Sequence, residues 1–243
     1  MELSDEISRW IKKEVESAGC AGVVVGISGG IDSAVVAYLA KKALGDNVLG
    51  LIMPCYSSEE DIYCANLVIE NLGIRRERID LAPAYDQLIE VLGKGERLAQ
   101  ANLKPRLRML TLYYFANSLN YLVAGTGNKS EIMAGYFTKY GDGGVDILPI
   151  GGLLKRKIRE LAKELGIPKE IIERPPSAGL WPGQTDEGEM GITYDELDSA
   201  ISALEEKKTE GKRAEILSKV ENLIKNSCHK RKLPKTFVVT KVR

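Results

Sequence analysis

Histidine is almost missing from this chain. Of 243 residues only His229 is a histidine, and the four cysteines (Cys20, Cys55, Cys64, Cys228) form no CxxC pair. A cluster of soft metal ligands at zinc spacing is therefore excluded. A chain of this length gains little from disulfides, so reduced thiols in the cytoplasm are the expectation. Net charge is missing too: 34 Lys and Arg balance 34 Asp and Glu. That argues against a nucleic-acid partner, whose binders carry a basic surplus. No apolar run approaches the roughly eighteen residues of a membrane span. The opening MELSDEISRW has neither the basic start nor the apolar core of a secretory signal. Internal repeats and low-complexity segments are absent. What remains is the make-up of an ordinary globular protein, 44% hydrophobic and 28% charged, long enough for one sizeable domain.

The charge is balanced overall but not locally. Residues 184–206 carry eight acidic side chains and no basic one, and residues 222–243 carry seven basic and no acidic one. Such segments are solvated faces, or they meet an anionic ligand or a partner subunit. In the first two-thirds, short β-branched runs alternate with longer amphipathic ones. Leu3, Ile7, Trp10, Ile11 and Val15 recur at helical spacing. Residues 22–27 form a strand-type run, and residues 34–44 a helix closed by Gly45. A second strand is expected over 47–53, a third over 76–81 and a fourth over 121–126. Helices are expected from the 57–60 capping box to Leu72, and over 105–119. This rhythm predicts an α/β fold, a doubly wound parallel sheet with helices on both faces, whose ligands bind at the carboxyl ends of the strands. Residues 135–146 are glycine-rich and irregular. Residues 155–165 read as an amphipathic helix, and 174–193, with three prolines and four glycines, as a loop that orders on binding. Helices starting near Thr193 and over 214–226 lead into the basic tail.

Chemistry concentrates in Gly26-Ile27-Ser28-Gly29-Gly30-Ile31-Asp32-Ser33, between the first strand and its helix. Adjacent glycines let a bulky anion approach the main chain. Ser28 and Ser33 offer hydroxyls, and the helix start offers free amides and a positive dipole end. Together these make a phosphate cradle. A plain strand–helix turn also uses Gly-Gly and Ser-Asp, but it does not call for all six residues 28–33 together. Asp32 would repel phosphate unless a cation lay between them, which points to a hard divalent ion, Mg2+. The loop is neither a GK[ST] phosphate loop nor a GxGxxG fingerprint.

The SGGxDS form resembles the pyrophosphate loop of the ATP-pyrophosphatase (adenine nucleotide alpha-hydrolase-like) superfamily. Downstream, Lys104-Pro105-Arg106-Leu107-Arg108, Gly125-Thr126-Gly127-Asn128-Lys129-Ser130-Glu131, the Phe137–Gly144 stretch FTKYGDGG through Asp146, Leu154-Lys155-Arg156, Gly191–Glu196 and His229-Lys230-Arg231 look like successive blocks of the NAD synthetase family. The resemblance covers nearly the whole chain and implies the stand-alone, ammonia-using form. It implies one domain over 1–243, with a Rossmann-like nucleotide-binding core at 20–173, a mobile loop at 174–193 and a helical, basic segment at 194–243. It also implies a reaction in which ATP adenylates the carboxylate of deamido-NAD and ammonia then displaces AMP.

By matching motifs, Gly26, Ile27, Ser28, Gly29, Gly30, Ile31, Asp32, Ser33, Thr126, Lys155 and Ser177 would hold ATP. Asp32 and Glu131 would hold Mg2+, and Asp32 and Lys155 would serve catalysis. Arg106, Lys139, Asp146, His229 and Lys230 would hold deamido-NAD. The resemblance further implies a homodimer with that substrate at the subunit boundary, and the acidic and basic segments are candidates for pairing in trans. Each residue also has a plainer use: Arg106 and Lys155 as solvated helix cations, Asp146 as a turn cap, Glu131 as an early-helix carboxylate. Gly127-Asn128 stand where many relatives carry Asp-His, Ser177 replaces a commoner threonine, and Gly179 lies where aspartate is frequent. Another adenylating pyrophosphatase (GMP synthetase-like or tRNA-modifying) is the competing reading. A nucleotide-binding regulator without turnover is a second, and it would not need Asp32, Glu131 and the FTKYGDGG block together.

Overall fold

Four short runs, too brief for helices and bounded by turns, become the strands β1 (Gly22–Gly26), β2 (Val48–Ile52), β3 (Arg75–Arg78) and β4 (Tyr121–Ala124) of a computed structural model, which describes residues 2–237 apart from 94, 182, 209, 210 and 212. Residues 238–243 of the expected basic tail lie outside the described residues. All pairings are parallel, in the order β3-β2-β1-β4. Ile147 adds a single parallel bridge beside Ala124. β1 is central and its side chains alternate between two cores, Val23 and Val25 on one face and Val24 on the other. A strand buried on both faces reads as a continuous apolar run, which is why 22–27 stood out.

One face of the sheet is covered by α1 (Leu3–Ser17), α2 (Ile31–Leu44) and α3 (Glu59–Leu72). The other face is covered by α4 (Ala82–Leu92) and, beyond the short α5 (Arg97–Ala101), by α6 (Leu103–Leu119). α7 (Lys129–Ala134) follows β4, and α8 (Lys155–Glu164) with α9 (Lys169–Ile172) returns to the first face. A third core joins α7 to α10 (Asp186–Met190), α11 (Tyr194–Glu206) and α12 (Ala214–Asn226) through Met190, Tyr194, Leu197, Ile201 and Val220. This is the expected doubly wound α/β fold with a helical carboxyl-terminal extension.

The third strand differs from the expectation of 76–81. It spans Arg75–Arg78, and all four of its side chains are exposed. It is an edge strand, blunted by charge. The apolar Ile79 and Leu81 that drew the sequence reading lie just beyond it and carry the chain into α4. Residues 82–101 hold two helices that were not among the expected elements. α4 starts with proline in its first turn and none of its side chains is fully buried.

Gly135 shows how closely α7 and α12 pack within the third core. It ends α7 at φ +72°, and a Cβ there would overlap the side chain of Ser227. Gly135→Ala is expected to cost roughly 2–4 kcal/mol, from left-handed strain plus overpacking. A thermal melt within a degree of wild type would contradict this.

Candidate active site

The Ser28–Ser33 loop folds on its own hydroxyls. Ser33 Oγ accepts from the Ser28 amide (3.2 Å) and donates to the Gly30 carbonyl (2.9 Å), while Ser28 Oγ accepts from the Gly30 amide (3.2 Å). Gly29 sits at φ +83°, where a Cβ would come 2.5 Å from the Asp61 carbonyl of α3. Glycine is thus required both for its backbone conformation and for close approach to α3. Gly30 caps α2 without a side-chain hydrogen bond, so the amides of the first turn are directed at the space in front of the loop.

That space is a cavity of about 440 Å³ at the carboxyl ends of the strands, within the range of small-molecule sites. Gly26, Ile27, Ser28, Gly30, Ile31, Asp32 and Ser33 line it, as do Thr126, Glu131, Lys155, Ser177 and Lys230. Gly29, Arg106, Lys139, Asp146 and His229 do not. Lys230 donates to the carbonyls of Gly135 and Phe137, both at 2.8 Å. Arg106, Lys139 and His229 form a separate, outer chain: Arg106 donates to the Lys139 carbonyl (3.5 Å), and Lys139 to the His229 carbonyl (3.1 Å). Asp146 stands apart from both. Its carboxylate accepts from the Val123 amide (2.8 Å) and the Tyr113 hydroxyl (2.9 Å), pinning the 145–147 segment beside β4. Within the basic segment expected to pair in trans, Lys230 and Arg231 are engaged by their own chain, since Arg231 also donates to the carbonyls of Ile132 and Ile224.

The centre of the cavity is a charge cluster. Lys155, 1% exposed, places Nζ 2.5 Å from Asp32 Oδ2 and 3.2 Å from Glu131 Oε1. Burial alone would push this lysine down, but Asp32 and Glu131 outweigh it and hold it above its ordinary value. Burial pushes the Glu131 carboxyl up to about 7, against the pull of Lys155. Lys155 is positioned from behind, because its amide donates to Ser130 Oγ (3.0 Å) and the next amide to Asp198 Oδ2 (2.9 Å). α8 is thereby capped by side chains of α7 and α11 rather than by its own.

Several residues here escaped the sequence reading. Tyr194, fully buried, brings its hydroxyl within 2.9 Å of Asp186 Oδ2 and 3.2 Å of Glu131 Oε1, and its ring lies 4.8 Å from Lys155 Nζ. Asp186 Oδ1 is buried with no hydrogen-bond partner among the described residues, and burial raises its carboxyl above the usual range. Asn128, also fully buried, donates to Asp32 Oδ1 at 2.9 Å. The Asn-x-x-Glu spacing of a helix start was the available signal for Asn128; nothing in the sequence marked Asp186.

The 174–193 segment covers the cavity, and Pro175, Ser177, Leu180 and Trp181 line it. The Ser177 hydroxyl is turned into the segment itself, donating to the Gln184 carbonyl (2.8 Å). The base of the segment is tied by Arg174, which donates to Asp61 Oδ1 (2.8 Å) and to the Gly29 carbonyl (3.4 Å). Burial pushes Asp61 up, but hydrogen bonds from Arg174 and Ser58 overcome it and hold the carboxyl below its ordinary value. A depressed carboxylate contributes stability above its unfolded pKa and loses it as pH falls through the folded one. Arg174→Ala at neutral pH, or acidification of the wild type through the Asp61 transition, is therefore expected to speed proteolytic cleavage within 174–185. Equal cleavage rates for variant and wild type at neutral pH would contradict the tie.

As to a cation, Asp32 Oδ2 and Glu131 Oε1 are hard oxygens that converge on the point now held by an ammonium group. Among the described residues no three acidic, histidine or cysteine side chains converge in the way a complete metal cage requires. Two carboxylates completed by phosphate and water are a usual Mg2+ arrangement, so the residues fit that ion.

Comparison with known proteins gives a consistent result. A family model described as NAD synthase matches residues 3–234. An NH(3)-dependent NAD(+) synthetase of Finegoldia magna is 50% identical over 236 residues, covering 97% of this chain and 95% of that protein. Among solved structures, an NMN synthetase from Francisella tularensis superposes with a TM-score of 0.89 at 40% identity, over 96% of each chain. An NH3-dependent NAD synthetase from Campylobacter jejuni, in complex with the nitrate ion, superposes with a TM-score of 0.85 at 29% identity, over 98% of this chain and 100% of that one.

Proposed function

Because the chain belongs to the NAD synthase family, we propose that it amidates deamido-NAD with ammonia at the expense of ATP. It is a ligase that forms a C–N bond in NAD+ biosynthesis, which disfavours a GMP synthetase-like or tRNA-modifying activity. A nicotinate carboxylate oxygen attacks the α-phosphorus of ATP, and the bond to pyrophosphate breaks. Ammonia then adds to the activated carbonyl carbon, AMP leaves with the bonding electron pair, and the nitrogen gives up one proton to solvent. Neither step needs a side-chain nucleophile. Catalysis is positioning plus neutralisation of developing charge.

The observation that carries this reading is the buried Lys155 ammonium held between Asp32 and Glu131 directly in front of the Ser28–Ser33 loop. The loop and the first turn of α2 receive the phosphates, and Thr126 and Ser177, which line the same cavity, contact ATP. Lys155 meets the charge that builds on the α-phosphoryl group. Asp32 and Glu131 would hold Mg2+, which when bound supplies further neutralisation of phosphate charge. Arg106, Lys139, His229 and Lys230 bind deamido-NAD, the Arg106 and Lys139 cations suiting its diphosphate, and Asp146 contributes by holding the 145–147 segment beside β4. The chain acts as a homodimer; exposed Val91 and Leu92 on α4 and Leu110 and Tyr114 on α6 support an apolar contact between copies. Among the described residues no helix is long and apolar enough to cross a membrane, and the enzyme works in the cytoplasm without nucleic acid. The segment 174–193 closes over bound ATP, and residues 1–243 act as one domain.

The likeness to an NMN synthetase favours a second reading, in which the acid is nicotinate mononucleotide. The carboxylate chemistry is the same, and only the adenylate half of the substrate differs. The test is pyrophosphate release from ATP and ammonium with each acid in turn. Deamido-NAD is expected to be turned over best. Preference for the mononucleotide would install the second reading, and turnover of neither acid would overturn both.

A further inference from the structure

Asp32 and Glu131 each have two carboxylate oxygens, and one residue fixes which oxygen of each faces Lys155, Asp32 through its side chain and Glu131 through its main-chain amide, with the Tyr194 hydroxyl also on Glu131 Oε1. Asn128 Nδ2 donates to Asp32 Oδ1 (2.9 Å), while the Asn128 amide donates to Glu131 Oε2 (3.2 Å) and its Oδ1 accepts from the Glu131 amide (3.0 Å). The remaining oxygens, Asp32 Oδ2 and Glu131 Oε1, are the two that converge on Lys155 Nζ. Asn128 is 0% exposed, and it is the N-cap of α7 in a reciprocal capping box with Glu131. Its amide cannot flip without losing the cap, so Nδ2 is held toward Asp32. We propose that Asn128 is a positioning residue that aims the two acids of this site at one shared cation position. This rests on the assignment of Asp32 and Glu131 as the Mg2+ ligands.

A geometry set by hydrogen bonds to the far oxygens is worth most to a small cation that demands near-ideal angles. An ammonium group, with a broad tolerance, needs it much less. The role of Asn128 is therefore expected to show in divalent-cation affinity rather than in stability.

The variant Asn128→Ser separates the two. Serine keeps the capping box with Glu131 but is too short to reach Asp32 and adds no charge. The measurement is Mn2+ binding, by electron paramagnetic resonance and calorimetry, to the full chain saturated with a non-hydrolysable ATP analogue. Thermal melts are taken without cation. The variant is expected to bind Mn2+ about tenfold or more weakly, the usual effect of loosening a group that orients a ligand. Its cation-free melt should stay near wild type, and turnover lost at low Mg2+ should return at high Mg2+. Unchanged Mn2+ affinity, or lost turnover that no Mg2+ concentration restores, would overturn the proposal. If the serine variant does not fold, Asn128→Thr, which likewise offers a capping hydroxyl, is too short to reach Asp32 and adds no charge, is measured in the same way with the same two outcomes. Failure of the wild type to bind Mn2+ with the analogue would instead remove the cation assignment on which the proposal stands.

Discussion

Lys155→Met is expected to destabilise the protein by roughly 3–5 kcal/mol, the cost of removing one side of a buried ion pair, or about 10 °C in melting temperature for a chain of this length. The lysine is 1% exposed and is shared by two carboxylates. Methionine fills much the same volume but leaves Asp32 and Glu131 facing each other without a counter-charge. The loss has a defined pH dependence. Glu131 is already pushed up to about 7 by burial in the wild type. An acid with a raised folded pKa keeps its proton in the folded chain and gives it up on unfolding, so stability falls as pH climbs from the ordinary carboxylate value through the raised one. Without Lys155 the Glu131 value rises further. The deficit of the variant should therefore be largest above pH 7 and shrink toward pH 5. Adenylation should fall about a hundred- to a thousandfold, as for loss of one charge-stabilising group. Melts and pyrophosphate release across pH check both parts. A deficit that grew on acidification would contradict the ion-pair account.

This cluster also shows what a sequence reveals and what it hides. The strand–loop–helix unit around Asp32 was legible because a short continuous apolar run gives way, across a glycine pair, to a helix-length segment closed by Gly45, a local signal. Lys155 and Glu131 lie 123 and 99 residues beyond Asp32 in the chain, and only family blocks linked them to it. The parallel sheet supplies the reason, since β4 lies beside β1 and carries α7 to the mouth of the first loop. Asn128, Asp186 and Arg174 act through one or two tertiary hydrogen bonds each, which have no period and no composition. Of these only Asn128, at a helix N-cap, left a trace. Among the expected deamido-NAD residues, the sequence could not separate Lys230, which faces the cavity, from Asp146, whose carboxylate is occupied by Val123 and Tyr113.

Asp32→Asn is expected to have the larger effect on catalysis and the smaller one on folding. The change is isosteric at the second residue of α2, and Lys155 keeps Glu131 as a partner. An asparagine there cannot satisfy both neighbours. With its oxygen toward Asn128 its NH2 faces the Lys155 ammonium; turned round, it faces the Asn128 NH2, which the cap of α7 holds in place. One donor–donor contact remains either way, a cost of about 1–3 kcal/mol that leaves the chain folded. Catalysis loses more. A neutral amide is a poor ligand for a hard divalent cation, and with only Glu131 left the phosphate charge is no longer matched. Pyrophosphate release should fall by about a thousandfold or more, which corresponds to a barrier raised by about 4 kcal/mol. ATP affinity separates this from simple unfolding. In the wild type, chelating divalent cations with EDTA should weaken ATP binding, whereas in the variant the affinity with and without EDTA should be nearly the same. A folded variant that still bound ATP more tightly with Mg2+ and released pyrophosphate at a comparable rate would remove Asp32 from the chemistry and return it to an ordinary first-turn carboxylate of α2.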